Sequence, residues 1–95
     1  MSIFQIGNPI QKLEKAYTDF QKQYNELLTK PRAETTAKEF EKLYYLIDSY
    51  LSKSFSRNIK ESDIYKKTES LRYKSIETYY SILDEVQENQ EELSR

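Results

Sequence analysis

The sequence predicts an all-α fold, and the prediction rests on its scarce turn residues and its apolar periodicity. One Gly and two Pro occur in 95 residues, whereas a β-sandwich or barrel needs turn chemistry roughly every 8–12 residues. Apolar side chains instead recur three and four residues apart, as on one face of a helix. Because a chain of this size buries only a thin core, we expect an antiparallel three-helix bundle. The alternative is a helical hairpin that completes its core by dimerisation.

The first helix is expected at about residues 9–29. Asn8 can cap the helix, and Pro9 suits the first helical position because its missing N–H is not needed there. The apolar positions that follow repeat like a coiled-coil seam; they are Ile10, Leu13, Tyr17, Phe20, Tyr24 and Leu27. Pro31 ends this pattern, since the residue before a proline avoids helical dihedrals.

The second helix is expected at about residues 36–54. Thr36 and Glu39 have the spacing of a capping box, in which each side chain binds an orphan backbone N–H group. The apolar residues of this segment cover about half of the helical circumference, more than the usual stripe. This width predicts a central helix with two neighbours, followed by a polar connection.

The third helix is expected at about residues 62–91, and Arg72 falls in the middle of its inner, apolar arc. A charge at a core position is costly unless it is paired. Arg72 is therefore expected to meet a carboxylate or a tyrosine, or to lie at a subunit interface. The remaining alternative is a buried stem with the guanidinium bent out to solvent.

The two ends of the chain differ from this central bundle, which we assign to residues 9–86. Residues 1–8 form an apolar arm whose Ile3 and Phe4 either fold over the end of the bundle or dock on another subunit. Residues 87–95 are acidic and are expected to fray. The chain shows no secretory signal and no stretch near the roughly 20 apolar residues that span a bilayer, so we expect a cytoplasmic protein.

The composition argues against catalysis and against a cofactor or metal ion. The chain has no Cys and no His, so it lacks thiolate chemistry and the usual acid–base group at neutral pH. Its carboxylates lie on polar helix faces among lysines, which leaves no base for a nucleophilic Ser. We expect a protein that is not an enzyme.

Tyrosine is the unusual component, with nine Tyr and no Trp. Most of these tyrosines lie on apolar arcs and are expected in the core, but three do not. Exposed tyrosines at helical spacing are typical of interface centres, because the ring adds contact area at little entropic cost. The candidate partner interface consists of Tyr45, Arg72, Tyr73, Ile76 and Tyr80, with Ile3 and Phe4 of the arm.

A basic region at residues 53–74 offers a nucleic-acid alternative through Lys60, Lys66, Lys67 and Lys74. Tyr65 and Tyr73 could stack on bases there. Asp63 and Glu77 lie on the same face and are expected to pair with Lys60 and Lys74. Such interleaved acids weaken phosphate binding, and nucleic acid is therefore the less favoured partner.

The sequence thus predicts a non-enzymatic protein–protein interaction module that binds a protein partner through a Tyr-rich helical face. Small helical proteins of bacteria and phages include adaptors, chaperones, immunity proteins and inhibitors, an analogy from fold and size alone. The alternatives are a self-assembling structural subunit of the filament or secretion-apparatus type, or a nucleic-acid-binding accessory protein. A homodimer is compatible with the interaction module.

Overall fold

The structure is a computed structural model that describes the backbone of residues 8–94 and the side-chain surroundings of residues 8–89. It contains four helices: α1 (Pro9–Leu28), α2 (Glu34–Leu51), the single turn α3 (Arg57–Lys60) and α4 (Asp63–Ser94). All regular secondary structure in the described residues is helical, which confirms the all-α prediction. Ile3 and Phe4 lie outside the described residues.

Helix α1 begins as its sequence predicts. The side chain of Asn8 accepts from the backbone N–H of Ile10 at 3.0 Å and from that of Gln11 at 3.4 Å. Pro9 is the first helical residue. These signals succeed because the cap and the orphan N–H groups are within three residues of each other, so tertiary structure has little influence.

The second helix is confirmed, but its predicted capping box at Thr36 and Glu39 is wrong. Helix α2 begins at Glu34 and Ala33 occupies the N-cap without a side-chain hydrogen bond. Thr36 lies inside the helix and is only 5% exposed, so its hydroxyl is not at the helix end. Glu34 in the first turn has the charge that the helix dipole favours.

The connection between α2 and α4 also differs from the prediction. Helix α2 ends at Leu51 instead of near residue 54, and the connection contains the extra turn α3. Ile59 of this turn packs against the main core, together with Phe55. Burial of these two apolar side chains is the physical reason that a mostly polar segment is ordered as a turn of helix.

The three long helices contact one another pairwise. Tyr24, late in α1, meets Phe40, early in α2, with ring centroids 5.4 Å apart and edge to face. Phe40 and Ala37 in turn share a core cluster with Ile82, late in α4. Helix α2 therefore runs antiparallel to both α1 and α4. Because α1 also contacts α4 directly, α2 does not separate the other two helices.

Two fully buried hydroxyls, on Thr68 and Ser75, lie on the core side of α4. Thr68 donates to the carbonyl of Ile64 at 2.7 Å and Ser75 donates to that of Leu71 at 2.9 Å. These bonds within the helix satisfy polar groups that would otherwise be buried without a partner. Helix α4 continues to Ser94, and fraying of the acidic end stays a prediction.

Candidate protein-binding face

Helices α2 and α4 lie side by side, and α1 covers one side of this pair. The hydroxyls of Tyr24 in α1 and Thr78 in α4 are 3.0 Å apart. Tyr80 is two residues beyond Thr78 and points about 200° away from it around the helix, so it faces away from α1. We call this outer side of α2 and α4 the tyrosine face; it carries Tyr44, Tyr45, Tyr73, Ile76, Tyr79 and Tyr80.

The tyrosine face holds most of the large exposed hydrophobic residues in the described part of the chain. Tyr45 is 58% exposed, Tyr73 is 57% exposed and Tyr80 is 59% exposed. Among the other large hydrophobic side chains in the described residues, only Leu28 and Leu46 are comparably exposed. Aromatic surface is thus concentrated on one side of the molecule rather than scattered.

Each of the two helices contributes a pair of contacting tyrosine rings to the tyrosine face. The ring centroids of Tyr44 and Tyr45 in α2 are 5.2 Å apart, and those of Tyr79 and Tyr80 in α4 are 5.0 Å apart. Burial raises the pKa of Tyr79, and Glu41, Tyr80 and Tyr45 act in the same direction. Tyr79 contacts the ring of Tyr80 and packs against the core cluster that contains Phe40 of α2.

An ion pair lies at the other end of this surface. Arg72 donates from Nη1 to the Asp48 carboxylate at 2.9 Å, and the two side chains are 20% and 40% exposed. Burial lowers the pKa of Arg72, but the hydrogen bonds to Asp48 and Tyr73 outweigh it and the pKa is raised. Of the expectations for Arg72, pairing with a carboxylate and a tyrosine is the one that the structure shows.

Arg72 also fixes the neighbouring tyrosine. Its guanidinium carbon lies 5.1 Å from the centroid of the Tyr73 ring, a distance typical of a cation–π contact. Ile76 is half-buried one turn further along α4. The structure therefore brings together the five predicted interface residues of the helices, which are Tyr45, Arg72, Tyr73, Ile76 and Tyr80.

Sequence reasoning missed four residues of this surface. Tyr44 and Tyr79 were expected in the core, but they lie half-buried at its edge, where they contact exposed tyrosines. Glu41 and Asp48 were not singled out. Both lie on the flank of the apolar arc of α2, three to four residues from Tyr44 or Tyr45, and that spacing is the signal that marks them.

Of the two tyrosines expected to stack on bases in the basic region, Tyr73 is exposed and Tyr65 is not. Tyr65 is only 8% exposed and packs edge-on against Phe55 at 5.5 Å, so the expectation that it stacks on bases is wrong. Its ring covers the end of the core, where Leu51 and Leu71 are buried. The four candidate lysines, Lys60, Lys66, Lys67 and Lys74, are exposed.

The predicted ion pairs of this region are also wrong. Among the described side chains, no ion pair joins Lys60 to Asp63 or Lys74 to Glu77. Only Arg57 pairs locally, with Glu61 at 3.1 Å. Long lysine side chains at exposed sites gain little from such pairs, because ordering them costs entropy and water screens the charges.

The described residues include no group of three His, Cys, Asp or Glu side chains that could hold a metal ion. Each described helix is too short or too polar to cross a bilayer. No protein-family model, curated protein or solved structure matches the chain.

Proposed function

We propose that the chain is a non-enzymatic protein-interaction module whose tyrosine face binds a protein partner. The observation that carries this proposal is the concentration of three exposed tyrosines on one side of two packed helices. A tyrosine ring adds apolar area to an interface, while its hydroxyl is compatible with water before the partner binds. An adaptor, chaperone, immunity protein or inhibitor would use such a face, and we expect it to act in the cytoplasm.

The tyrosine face is preorganised, which supports its use in binding. Arg72 is held by Asp48 and in turn lies over the ring of Tyr73. Tyr80 packs on Tyr79, whose own position is set by the α2–α4 contact. Side chains that are already ordered lose less conformational entropy on association, so more of the contact energy remains as affinity.

Site-specific photo-crosslinking in the cells that natively make this chain tests the proposal. A photoreactive phenylalanine at position 45, 73 or 80 is expected to capture a protein, whether another chain or a second copy. The same residue at position 22 or 28 is the matched control, because Lys22 and Leu28 are exposed on α1, outside the tyrosine face. Equal capture from the control positions, or none from the three tyrosine positions, would contradict the proposal.

A double substitution gives an independent test of the same surface. Tyr73→Ala with Tyr80→Ala is expected to abolish capture from position 45, while helical content and Tm stay near those of the wild type. Lys22→Ala with Leu28→Ala, both on α1, should leave capture intact. A large loss of stability in the tyrosine variant would mean that these residues belong to the core, and the proposed interface would then be wrong.

A further inference from the structure

Carboxylates alternate with the exposed tyrosines along α4. Glu69 and Glu77 lie one turn before and one turn after Tyr73. Glu77 and Asp84 lie one turn before and one turn after Tyr80. Residues three or four positions apart are neighbours on a helix surface. Each of the two exposed rings therefore has a carboxylate on both sides along the helix.

The charge of this part of the tyrosine face is predominantly negative. Four charged residues of α4 point within about 60° of Tyr80 around the helix; they are Lys66, Glu69, Glu77 and Asp84. Among the described side chains, none of the four forms an ion pair. Lys67 and Lys74 point more than about 100° away from Tyr80, so they do not balance the three carboxylates.

Tyr45 of α2 has similar surroundings. Glu41 lies one turn before it and has no ion pair among the described side chains. Lys38 also lies close to Tyr45 around the helix, but Glu34 binds it at 3.8 Å. Lys42 lies on the flank of α2 that is turned towards α1. Helix α2 therefore adds a further carboxylate to the tyrosine face, and the charge of its nearest lysine is balanced.

Arg72 shows how a carboxylate and a tyrosine ring hold a cation on this surface. Its guanidinium binds Asp48 at 2.9 Å and lies 5.1 Å from the centroid of the Tyr73 ring. Both contacts are attractive for a guanidinium, one as a charge-assisted hydrogen bond and the other as a cation–π contact. Glu77 and Tyr80 place the same two groups one turn apart, and a cation of a partner would complete the same arrangement there.

We propose that the partner of the tyrosine face is a basic protein segment, whose Arg or Lys side chains lie over Tyr73 and Tyr80 and bind the carboxylates beside them. This inference rests on the proposed function, because it names the chemistry of the partner at the same face. Tyr73 and Tyr80 are seven residues apart, which is about 10 Å along α4. Two cations of the partner reach both rings when they are seven residues apart on a helix or three apart in an extended segment.

Charge complementarity favours a basic segment over an acidic or a neutral one. An acidic segment would place like charges against Glu69, Glu77 and Asp84, and like charges across an interface are repulsive. A neutral segment would cover these carboxylates without pairing them, and the removal of an unpaired charge from water is costly. A basic segment pairs the carboxylates and also uses the faces of the tyrosine rings.

Fluorescence anisotropy with labelled decaarginine and decaglutamate tests the charge of the partner, with the full chain at about 0.15 M salt, where distant charges are largely screened. Decaarginine is expected to bind and decaglutamate is not. Glu77→Lys with Asp84→Lys should raise the Kd for decaarginine about tenfold or more, because two attractive contacts become repulsive. Tyr73→Ala with Tyr80→Ala should raise it about tenfold, because two cation–π contacts are lost.

Glu14→Lys with Asp19→Lys is the matched control, since it makes the same charge change at exposed positions of α1, outside the tyrosine face. This variant should keep the Kd within about threefold of the wild-type value. All three variants should keep the helical content of the wild type in circular dichroism. Equal weakening by the α1 and α4 charge variants, binding of decaglutamate, or no binding of decaarginine would overturn the basic partner.

Mapping of the photo-crosslinks from position 45 distinguishes this inference from the proposed function. The captured peptide is expected to carry at least two Arg or Lys residues, and Glu77→Lys with Asp84→Lys should abolish its capture. Capture of a peptide without basic residues would overturn the basic partner and uphold the proposed function. Absence of capture from positions 45, 73 and 80 would contradict both.

Discussion

Arg72 in α4 and Asp48 in α2 form an ion pair of 2.9 Å at the edge of the core, 24 positions apart in the chain. The pair is partly shielded from water, and the Nε atom of Arg72 is buried without a hydrogen-bond partner in the described structure. A charge in such surroundings depends on its remaining partner, because removal of one member of a shielded pair leaves the other poorly solvated.

Asp48→Ala is therefore expected to lower the free energy of unfolding by about 1–2 kcal/mol. In a double-mutant cycle with Arg72→Met, the coupling energy should be about 1 kcal/mol by urea denaturation. The pair Arg57–Glu61 is the control, because its side chains are 90% and 62% exposed and exposed pairs couple by less than about 0.5 kcal/mol. Equal coupling in the two pairs would contradict this role for Asp48.

Substitution of two isoleucines of α4 should distinguish an effect on stability from an effect on partner binding. Ile82 is 1% exposed and packs with Phe40, whereas Ile76 is half-buried on the tyrosine face. Ile82→Ala should lower the free energy of unfolding by about 2–4 kcal/mol, because it leaves a cavity in the core. Ile76→Ala should cost less stability and should weaken partner capture instead. Urea denaturation and crosslinking from position 45 measure the two effects, and a larger stability loss at Ile76 would contradict the assignment.

The features that the sequence predicts well depend on local contacts. Asn8 and Pro9 mark the start of α1, because a cap needs only the next few N–H groups. Thr36 carries an equally good local signal, yet its position within the core decides the outcome and α2 begins at Glu34. A capping motif is therefore a weak indicator of where a helix begins when burial of its own residues favours extending the helix beyond it.

The tyrosine face was only partly predictable for a related reason. Periodicity places Tyr73 and Tyr80 outside the apolar arc of a single helix, and the structure exposes both. The positions of Tyr44 and Tyr79 depend instead on how α2 and α4 are rotated against each other, which no single-helix pattern contains. In the sequence, nothing distinguishes Asp48 from the other carboxylates. Only the register of α2 against α4 places it beside Arg72.

A hydrogen bond between α1 and α4 can be tested by removing a single hydroxyl. Thr78 donates its proton to the carbonyl of Lys74 at 2.7 Å, so the Tyr24 hydroxyl, 3.0 Å away, donates to Thr78. Tyr24→Phe should lower the free energy of unfolding by about 0.5–1.5 kcal/mol. Tyr17→Phe is the control, because the Tyr17 hydroxyl bonds to Gln21 within α1. If Tyr17→Phe lowers the free energy of unfolding as much as Tyr24→Phe does, the stabilising role of the Tyr24–Thr78 hydrogen bond is contradicted.

Alkaline pH should destabilise the fold through tyrosine ionisation. Burial raises the pKa of Tyr50, and burial together with Glu41 raises that of Tyr79. The unfolded chain loses these protons near pH 10, whereas the folded chain still holds them at that pH. The raised pKa values therefore contribute their whole stabilisation below about pH 10, and the free energy of unfolding falls as the pH rises above it. Tyr79→Phe should make this fall shallower in urea denaturation measured across that range. Tyr17→Phe removes a hydroxyl that bonds only to Gln21 within α1 and is the control; parallel curves for Tyr79→Phe and the wild type would contradict the expected linkage.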